Sequence, residues 1–510
     1  MGKLMSKLIT GVLLTLIIGV ILYVNYYPHY NGLINTPENY SYSGQASWFD
    51  PWDINNYFAT IKLAQKDQNI LLSNINTTEK GKPAFIYPIY TLSAILFPNV
   101  NNILLYQILA IGCGTLLALG IFAVTNFLIK KPFHSLYALL IISIGGGLGF
   151  LFSAPEMSTD LYIPGVTFLS NFQKPHEAIA ALLYISSLVF FFLAVEQQKI
   201  RLLLISIAAF VVLIPIYPYR LVSFFLITSI FVLVSSMRMQ KKYPFTYLGI
   251  FSAFVFPPAI FYTFHFLNSS FSVLTSYQPH QITLLSLFLG YGFFIVFFVF
   301  QLFLTKNKTP LMWFLNIWII VSISLSLLPF GLSRLFLSGL LFPMALIFVI
   351  QLINFSKHSH LFLIFIMIIT LMMVLPTSIY TFNKRIAEAH NSNNIWFYIP
   401  QSYRESFEFL ERSDQNGILA LPSLSSYIPA RTGKHVYFGI KDQSPDYDTK
   451  LVKAENFYSG TLSESEAKSF LQENNINLVV VSLQEKQFDA LAYPFLTVVY
   501  KNKDIEILSR

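Results

Sequence analysis

Residues 48–57, WFDPWDINNY, form the polar island on which the reading of this chain turns. Two carboxylates, Asp50 and Asp53, flank Pro51 and Trp52. Proline disfavours helix at the residue before it and suits the first turn of a helix that it opens. The pattern therefore predicts a helix over Asp53–Lys66, with both carboxylates clustered at its start. That placement has two readings. Asp50 can cap the helix while Asp53 stays in solvent, because acidic side chains favour helix N-termini. Alternatively, the pair can take a proton from an attacking hydroxyl or hold a hard cation.

The surroundings are hydrophobic. Of 510 residues, 55% are hydrophobic and only 11% charged, and the mean hydropathy is +0.58. Soluble domains carry roughly 25% charged residues, so most of this chain belongs in lipid. The net charge of +8 does not indicate nucleic-acid binding. The basic residues fall in short loops between apolar runs, where they report orientation. One cysteine, Cys113, lies in an apolar run. That excludes a disulfide within the chain and a Cys-based metal site, and reads as a small core residue.

Residues 8–24 form the first apolar run, read as a retained signal anchor because no small-residue cleavage site follows. Residues 25–82 are polar and hold the WFDPWDINNY island. Residues 84–97 are apolar but short for a span, and Pro88 interrupts them, so they suit an interfacial helix. Further spans are expected near 103–129, 134–153, 177–195, 202–217, 221–237, 245–266, 282–304, 311–328, 335–354 and 361–380, about eleven with the first. The charges test this count. If 84–97 does not span, the loops holding Lys130/Lys131, Lys199/Arg201, Arg238/Lys241/Lys242, Lys306/Lys308 and Lys357 all share a side with Lys3 and Lys7, the positive-inside pattern. The N-terminus is then cytoplasmic. Residues 25–82, 153–176, the corner at 217–220, 268–281 and the C-terminal tail all lie outside. From about 381 the composition becomes that of a small extracytoplasmic α/β domain. Helices are expected at 404–412 and 463–473, and strands at 417–422, 435–438, 478–482, 496–500 and 505–508.

Other groups fall on the same outer side. The loop at 155–176 carries Glu156, Asp160, Lys174 and His176. These either complete a polar site or form an ordinary wet loop, and His176 after Pro175 also suits a capping role. Arg220 and Arg334 lie at outer span ends. A boundary arginine either snorkels to headgroups or receives an anion, for which its fork is well shaped. The GGGLGF run at 145–150 lies in an expected span and reads as close helix packing rather than a phosphate loop. Asp442, Asp446, Asp448 and Lys450 read as a solvated loop or a docking surface.

Taken in order, these segments resemble the GT-C superfamily of membrane glycosyltransferases, especially bacterial mannosyltransferase-like proteins. The resemblance rests on FDPWDINNYFATIKLA after the first span, YPIYTLSAILF, GGGLGF, LYIPGVTFLSNFQKPHEAIA, the IYPYR corner, and a tail with LPSLSSYIPARTGKHVYFG, DYDTK and ENNINLVVV. It covers nearly the whole chain, although each motif alone is weak. It implies a mainly α, polytopic GT-C-like bundle over 1–380, with outer loop 25–82 and interfacial helix 84–97, and an extracytoplasmic α/β domain over 381–510. It also implies sugar transfer from a polyprenyl-phosphate donor to an extracytoplasmic glycan, lipid or protein acceptor at the cell membrane. An aspartate of the first outer loop is then the base. The separation of Asp53 from Tyr57 resembles that in relatives, so the resemblance implies Asp53 rather than Asp50, and Tyr57 joins the substrate-binding set it implies. Arg220, Arg334 or Lys174 would neutralise the phosphate, and His176, Glu156 and Asp160 would help line the site. Relatives carry an acidic residue in the IPG segment, where this chain has Gly165. That removes a second-loop carboxylate or shifts its task to Glu156 or Asp160. A divalent cation such as Mg or Mn on Asp50/Asp53 stays open. Two rivals remain: a transporter or flippase of lipid-linked glycans, and a non-catalytic envelope assembly protein.

Overall fold

The computed structural model describes residues 2–152, 158–275, 282–304, 309–329, 331–355, 360–482 and 493–510. Within these, the chain forms two compact units. One comprises 1–28, 109–263 and 278–386, and the other 29–108, 264–277 and 387–510.

The first unit is helical. Among the described residues, six helices are long and apolar enough to cross a membrane: Leu4–Ile34, Asn102–Ile129, Pro175–Gln197, Arg220–Met239, Tyr243–Leu267 and Ser333–Asn354. Two bent pairs, Leu284–Tyr291 with Phe293–Phe303 and Leu361–Val374 with Pro376–Glu388, raise this to as many as eight. The shorter apolar helices Pro132–Ile144, Ile200–Leu213 and Pro310–Ser326 fall on the remaining expected spans. The chain is a multi-pass membrane protein. Burial separates interior from periphery: 83% of the apolar window of Ser333–Asn354 is buried, against 17% for Tyr243–Leu267.

Four sequence expectations about the apolar spans need correction. The first helix runs to Ile34, ten residues beyond the expected end. The Tyr26 hydroxyl lies 2.5 and 2.7 Å from the Ala110 and Phe172 carbonyls, which ties that extension to its neighbours. The expected span 282–304 breaks at Gly292, where a 99° bend uses a backbone at φ 45, ψ −116, a conformation that glycine adopts without a Cβ penalty. The span expected at 361–380 bends by 41° before Pro376, which cannot donate a helix hydrogen bond. The span expected at 134–153 stops at Ile144. GGGLGF therefore packs as a loop that ends in the 3-10 turn Gly149–Leu151, not as a continuation of the span. Gly146 N–H donates to Val374 O at 2.8 Å and Leu148 N–H to Leu289 O at 2.7 Å.

Helix pairing in this unit relies on small polar groups and rings. Pro175–Gln197 and Ile200–Leu213 form a hairpin in which Ser187 and Ser206 hydroxyls each donate to the other's carbonyl, at 2.8 and 2.7 Å. Without water to compete, such bonds and van der Waals packing hold membrane helices together.

In the second unit, strand β1 (Tyr40–Tyr42) pairs antiparallel with β2 (Tyr398–Pro400), joining the first polar loop to the tail. Strands β3 (Ile418–Leu419), β4 (Leu478–Ser482), β5 (Thr497–Lys501) and β6 (Ile505–Ser509) form a sheet in the order β3-β4-β6-β5. Only β3–β4 is parallel. Side chains alternate across a strand. Leu478 and Val480 accordingly meet Phe407, Leu410 and Ile428 on one face. Val479 and Val481 meet Ala454, Phe457 and Leu471 on the other. The sheet is thus covered by helices on both sides, and β4 is buried along its length and apolar up to Ser482, as suits a doubly buried strand. The strand expected at 435–438 is reduced to single bridges, Val436 with Ile418 and Phe438 with Thr77. Asp446–Lys450 is not a loop but the start of helix Tyr447–Tyr458. Lys450 is buried and bonds Glu79 at 2.5 Å and Thr77 at 3.1 Å.

Candidate functional site

The carboxylate pair lies in the second unit. Helix Pro51–Asp67 starts two residues before the expected Asp53, with Pro51 at its first position, where its missing N–H costs nothing. Asp50 occupies the N-cap position, but its side chain makes no capping bond, and its backbone is left-handed at φ 44, ψ 64. A left-handed non-glycine residue costs energy unless its surroundings enforce it. Here the Gln45 amide donates to the Pro51 carbonyl at 3.0 Å and the Ser47 hydroxyl to the Phe49 carbonyl at 2.9 Å. Those bonds fix the loop that carries Asp50. Asp53 stands one turn before Tyr57, whose hydroxyl donates to its Oδ2 at 3.4 Å, the side-chain pairing that i,i+4 spacing allows. Both carboxylates are partly exposed.

Tyr57 itself is buried. Its ring stacks on Tyr90 at 5.1 Å, meets Tyr87 edge-on at 5.4 Å and lies parallel to Tyr106 at 6.4 Å. Tyr87 and Tyr90 belong to the start of helix Pro88–Leu96, the short apolar segment expected to be interfacial. That helix buries Tyr90, Thr91 and Ala94 and exposes Leu92 and Leu96, an amphipathic division suited to a membrane surface. The aromatic cluster thus fixes the Asp53–Tyr57 pair against it.

The cationic residues lie in the first unit, where the structure gathers them. Lys174 caps helix Pro175–Gln197, and Lys174, His176 and Glu177 are all buried. The Tyr217 hydroxyl donates to Glu177 Oε1 at 2.6 Å, and the His176 ring meets Tyr217 edge-on at 5.9 Å. Arg220, also buried, donates to the Ser338 carbonyl at 2.9 Å. Its guanidinium lies 4.9 Å from the Tyr184 ring centre and 5.7 Å from that of Tyr219, close enough for cation–π attraction. Tyr219 is within electrostatic reach of Arg220, Glu177 and Arg334 together. Arg220, Arg334 and Glu177 thus lie around Tyr219, and Lys174 precedes the helix that carries Glu177.

Asp160 does something else. It is fully buried and accepts from Gly147 N–H at 2.8 Å, Gly149 N–H at 3.4 Å, Thr377 Oγ1 at 3.0 Å and the Ser158 hydroxyl. Burial pushes its carboxyl above the ordinary value, against the pull of these donors. It is the anchor of the glycine loop. Gly165 has φ +82, and a Cβ there would crowd Ser338; its carbonyl accepts from Gly339 N–H at 3.3 Å. Glu156 lies outside the described residues. Among the described residues, no three His, Cys, Asp or Glu side chains gather as a metal site. Glu177, Tyr184, Tyr217 and Tyr219 were not read as site residues from sequence. The only signal was their place in or beside the PHEAIA and IYPYR segments.

No family model matches the chain, and no curated protein does. Solved structures do. The apo Archaeoglobus fulgidus oligosaccharyltransferase superposes with a TM-score of 0.59 at 13% identity, over 93% of this chain and 70% of that one. The same organism's oligosaccharyltransferase AglB with an inhibitory peptide and a dolichol-phosphate gives 0.58 at 13% identity, over 94% and 70%. The enzyme's complex with Zn and sulfate gives 0.54 at 12% identity, over 92% and 68%. At such identities the likeness is one of fold. The chain has the mainly α, GT-C-like membrane fold of these archaeal oligosaccharyltransferase structures, with an α/β region at its C-terminal end.

Proposed function

We propose that this protein is a membrane glycosyltransferase that moves a sugar from a polyprenyl-phosphate donor to an acceptor hydroxyl, or an equivalent nucleophile of a glycan, lipid or protein, on the extracytoplasmic face. The observation that carries the proposal is the fold match over 93% of the chain, combined with two partly exposed aspartates at a helix start beside an amphipathic short helix. One solved structure of that fold holds a dolichol-phosphate, which makes a lipid phosphate the natural donor class to test.

In the proposed reaction Asp53 accepts the proton of the acceptor hydroxyl. The acceptor oxygen bonds to the anomeric carbon as the bond from that carbon to the phosphate oxygen breaks. The phosphate leaves with the electron pair, and the anomeric configuration inverts. Arg220, Arg334 and Lys174 would stabilise the departing charge, the kind of fixed electrostatic help on which group transfer depends. Tyr57 would orient Asp53 through its hydroxyl, Asp50 would assist beside it, and His176 would help line the phosphate side. The donor's isoprenoid would lie against apolar spans. Mg or Mn is commonly held by one or two carboxylates plus substrate phosphate oxygens. Asp50 and Asp53 suit that arrangement and could hold such an ion jointly with the donor, but no step depends on it.

The test is transfer of labelled sugar by the full-length protein in membranes. Asp53→Asn should lower the rate by about 10²- to 10⁴-fold, the usual contribution of a positioned general base, with expression and melting temperature unchanged. Near-normal transfer by that variant would remove Asp53 from the mechanism.

A further inference from the structure

Within the second unit lies a cleft of about 340 Å³ lined by Lys62, Asn101, Arg404, Glu408, Glu411 and Arg431. Its volume is at the lower end of the roughly 300–1,000 Å³ typical of small-molecule sites. The charges in its wall do not balance. Lys62 pairs with Glu411 at 2.5 Å, and Arg404 with Glu408 at 3.3 Å. Arg431 is the cation left over. One of its terminal nitrogens donates to the Ser43 carbonyl at 2.6 Å. Its Nε is buried and has no acceptor, and among the described residues no carboxylate pairs with it. Burial, with Arg404 nearby, holds it down to about 10. Arg431 is half-buried; such a guanidinium without a counter-charge is costly, and its planar group matches a carboxylate or phosphate.

The rest of the wall bears on what carries that anion. Ser41, Asn101 and the two ion pairs offer donors and acceptors, while Ile103, Ile399 and Phe407 offer apolar surface. A pyranose ring has the same mixture, with hydroxyls around its edge and C–H groups on its faces. We infer that this cleft binds an acidic saccharide, a uronate or a sugar phosphate, with Arg431 gripping its anionic group. The inference goes beyond the transferase reading, and none of these residues belongs to the proposed transfer machinery.

Calorimetric titration of the full-length protein in detergent tests it, with glucuronate, glucose 6-phosphate, glucose and inorganic phosphate as probes. Both acidic sugars should bind saturably, at least about tenfold more tightly than glucose or phosphate alone, as expected when one charge-assisted contact is added to sugar contacts. Arg431→Gln should weaken both by about tenfold or more. Glu408→Gln, at the exposed lip, removes a competing carboxylate and should tighten them severalfold. Asp53→Asn should bind them as wild type does, which separates this site from transfer. Failure of the wild type to bind either acidic sugar would overturn the inference. So would equal binding by a folded Arg431→Gln protein, or phosphate binding as tightly as both sugars. If Arg431→Gln does not fold, Glu408→Gln decides: unchanged affinity overturns the site.

Discussion

At the scale of single residues, Asp160 shows how a carboxylate that resembles a reactive group can be committed to structure. Four donors from three separate segments converge on it. Replacing it with alanine leaves buried N–H and O–H groups unpaired, at roughly 1–3 kcal/mol each. Asp160→Ala should therefore lose at least about 3 kcal/mol of stability, seen as a clear fall in melting temperature in detergent, while Asp160→Asn loses less. An unchanged melting temperature for the alanine variant would mean that the anchor is not needed. Asp53 differs in kind, for it is partly exposed and accepts from the Tyr57 hydroxyl. From sequence both were acidic residues in polar loops. Only the partners separate them.

At the scale of elements, the glycine loop and the tail's capped helix each make a prediction. A Cβ on Gly147 would collide with the Leu289 and Gly290 carbonyl oxygens, whereas one on Gly112 would meet nothing within 4 Å. Gly147→Ala should cost about 1–3 kcal/mol or more from overpacking, and Gly112→Ala should be neutral or slightly stabilising because alanine favours helix. Parallel thermal melts of the two variants check this, and equal melts would sink the packing account. In the tail, helix Glu464–Glu473 begins with a capping box in which the Ser463 hydroxyl donates to Glu466 Oε2 at 2.7 Å and the Ser463 N–H at 2.8 Å. These bonds hold the Glu466 carboxyl below its ordinary value. A depressed carboxyl stabilises the fold above its unfolded pKa, about 4.3 for glutamate, and that stability is lost as pH falls through the folded value. Glu466→Gln should therefore be less stable than wild type at neutral pH, and the gap should close on acidification below about pH 4. A gap independent of pH would show that the carboxylate's charge plays no part.

At the scale of the whole molecule, the distribution of lysine and arginine among the short loops makes one prediction that composition cannot. With Cys113 replaced by serine, single cysteines at Lys7 and Glu464 should respond oppositely to an impermeant maleimide on intact cells. Glu464→Cys should be labelled and Lys7→Cys protected, because basic loops stay cytoplasmic. The reverse pattern would invert the proposed orientation and put Asp53 on the wrong side for an extracytoplasmic donor. Cys113 is buried, so its replacement should disturb only local packing.

The apolar periodicity of the chain was enough to mark its helices, because a segment in lipid must satisfy its own backbone and therefore announces itself by length and hydropathy. Pro51 likewise marked the start of the Asp50/Asp53 helix, and Ser463–Glu466 that of the capped one, since both signals are local. The bends at Gly292 and before Pro376 escaped, because hydropathy is blind to the direction of a helix axis. Nor could spacing reveal that Asp160 ties three segments together, that Glu177 pairs with Tyr217 while Arg220 lies over Tyr184 and Tyr219, or that the first polar loop pairs with the tail through Tyr40–Tyr42 and Tyr398–Pro400. Those are contacts between residues far apart in the chain, and partners at that range are chosen by packing and by the need of each buried polar group for a mate, which only the folded arrangement decides.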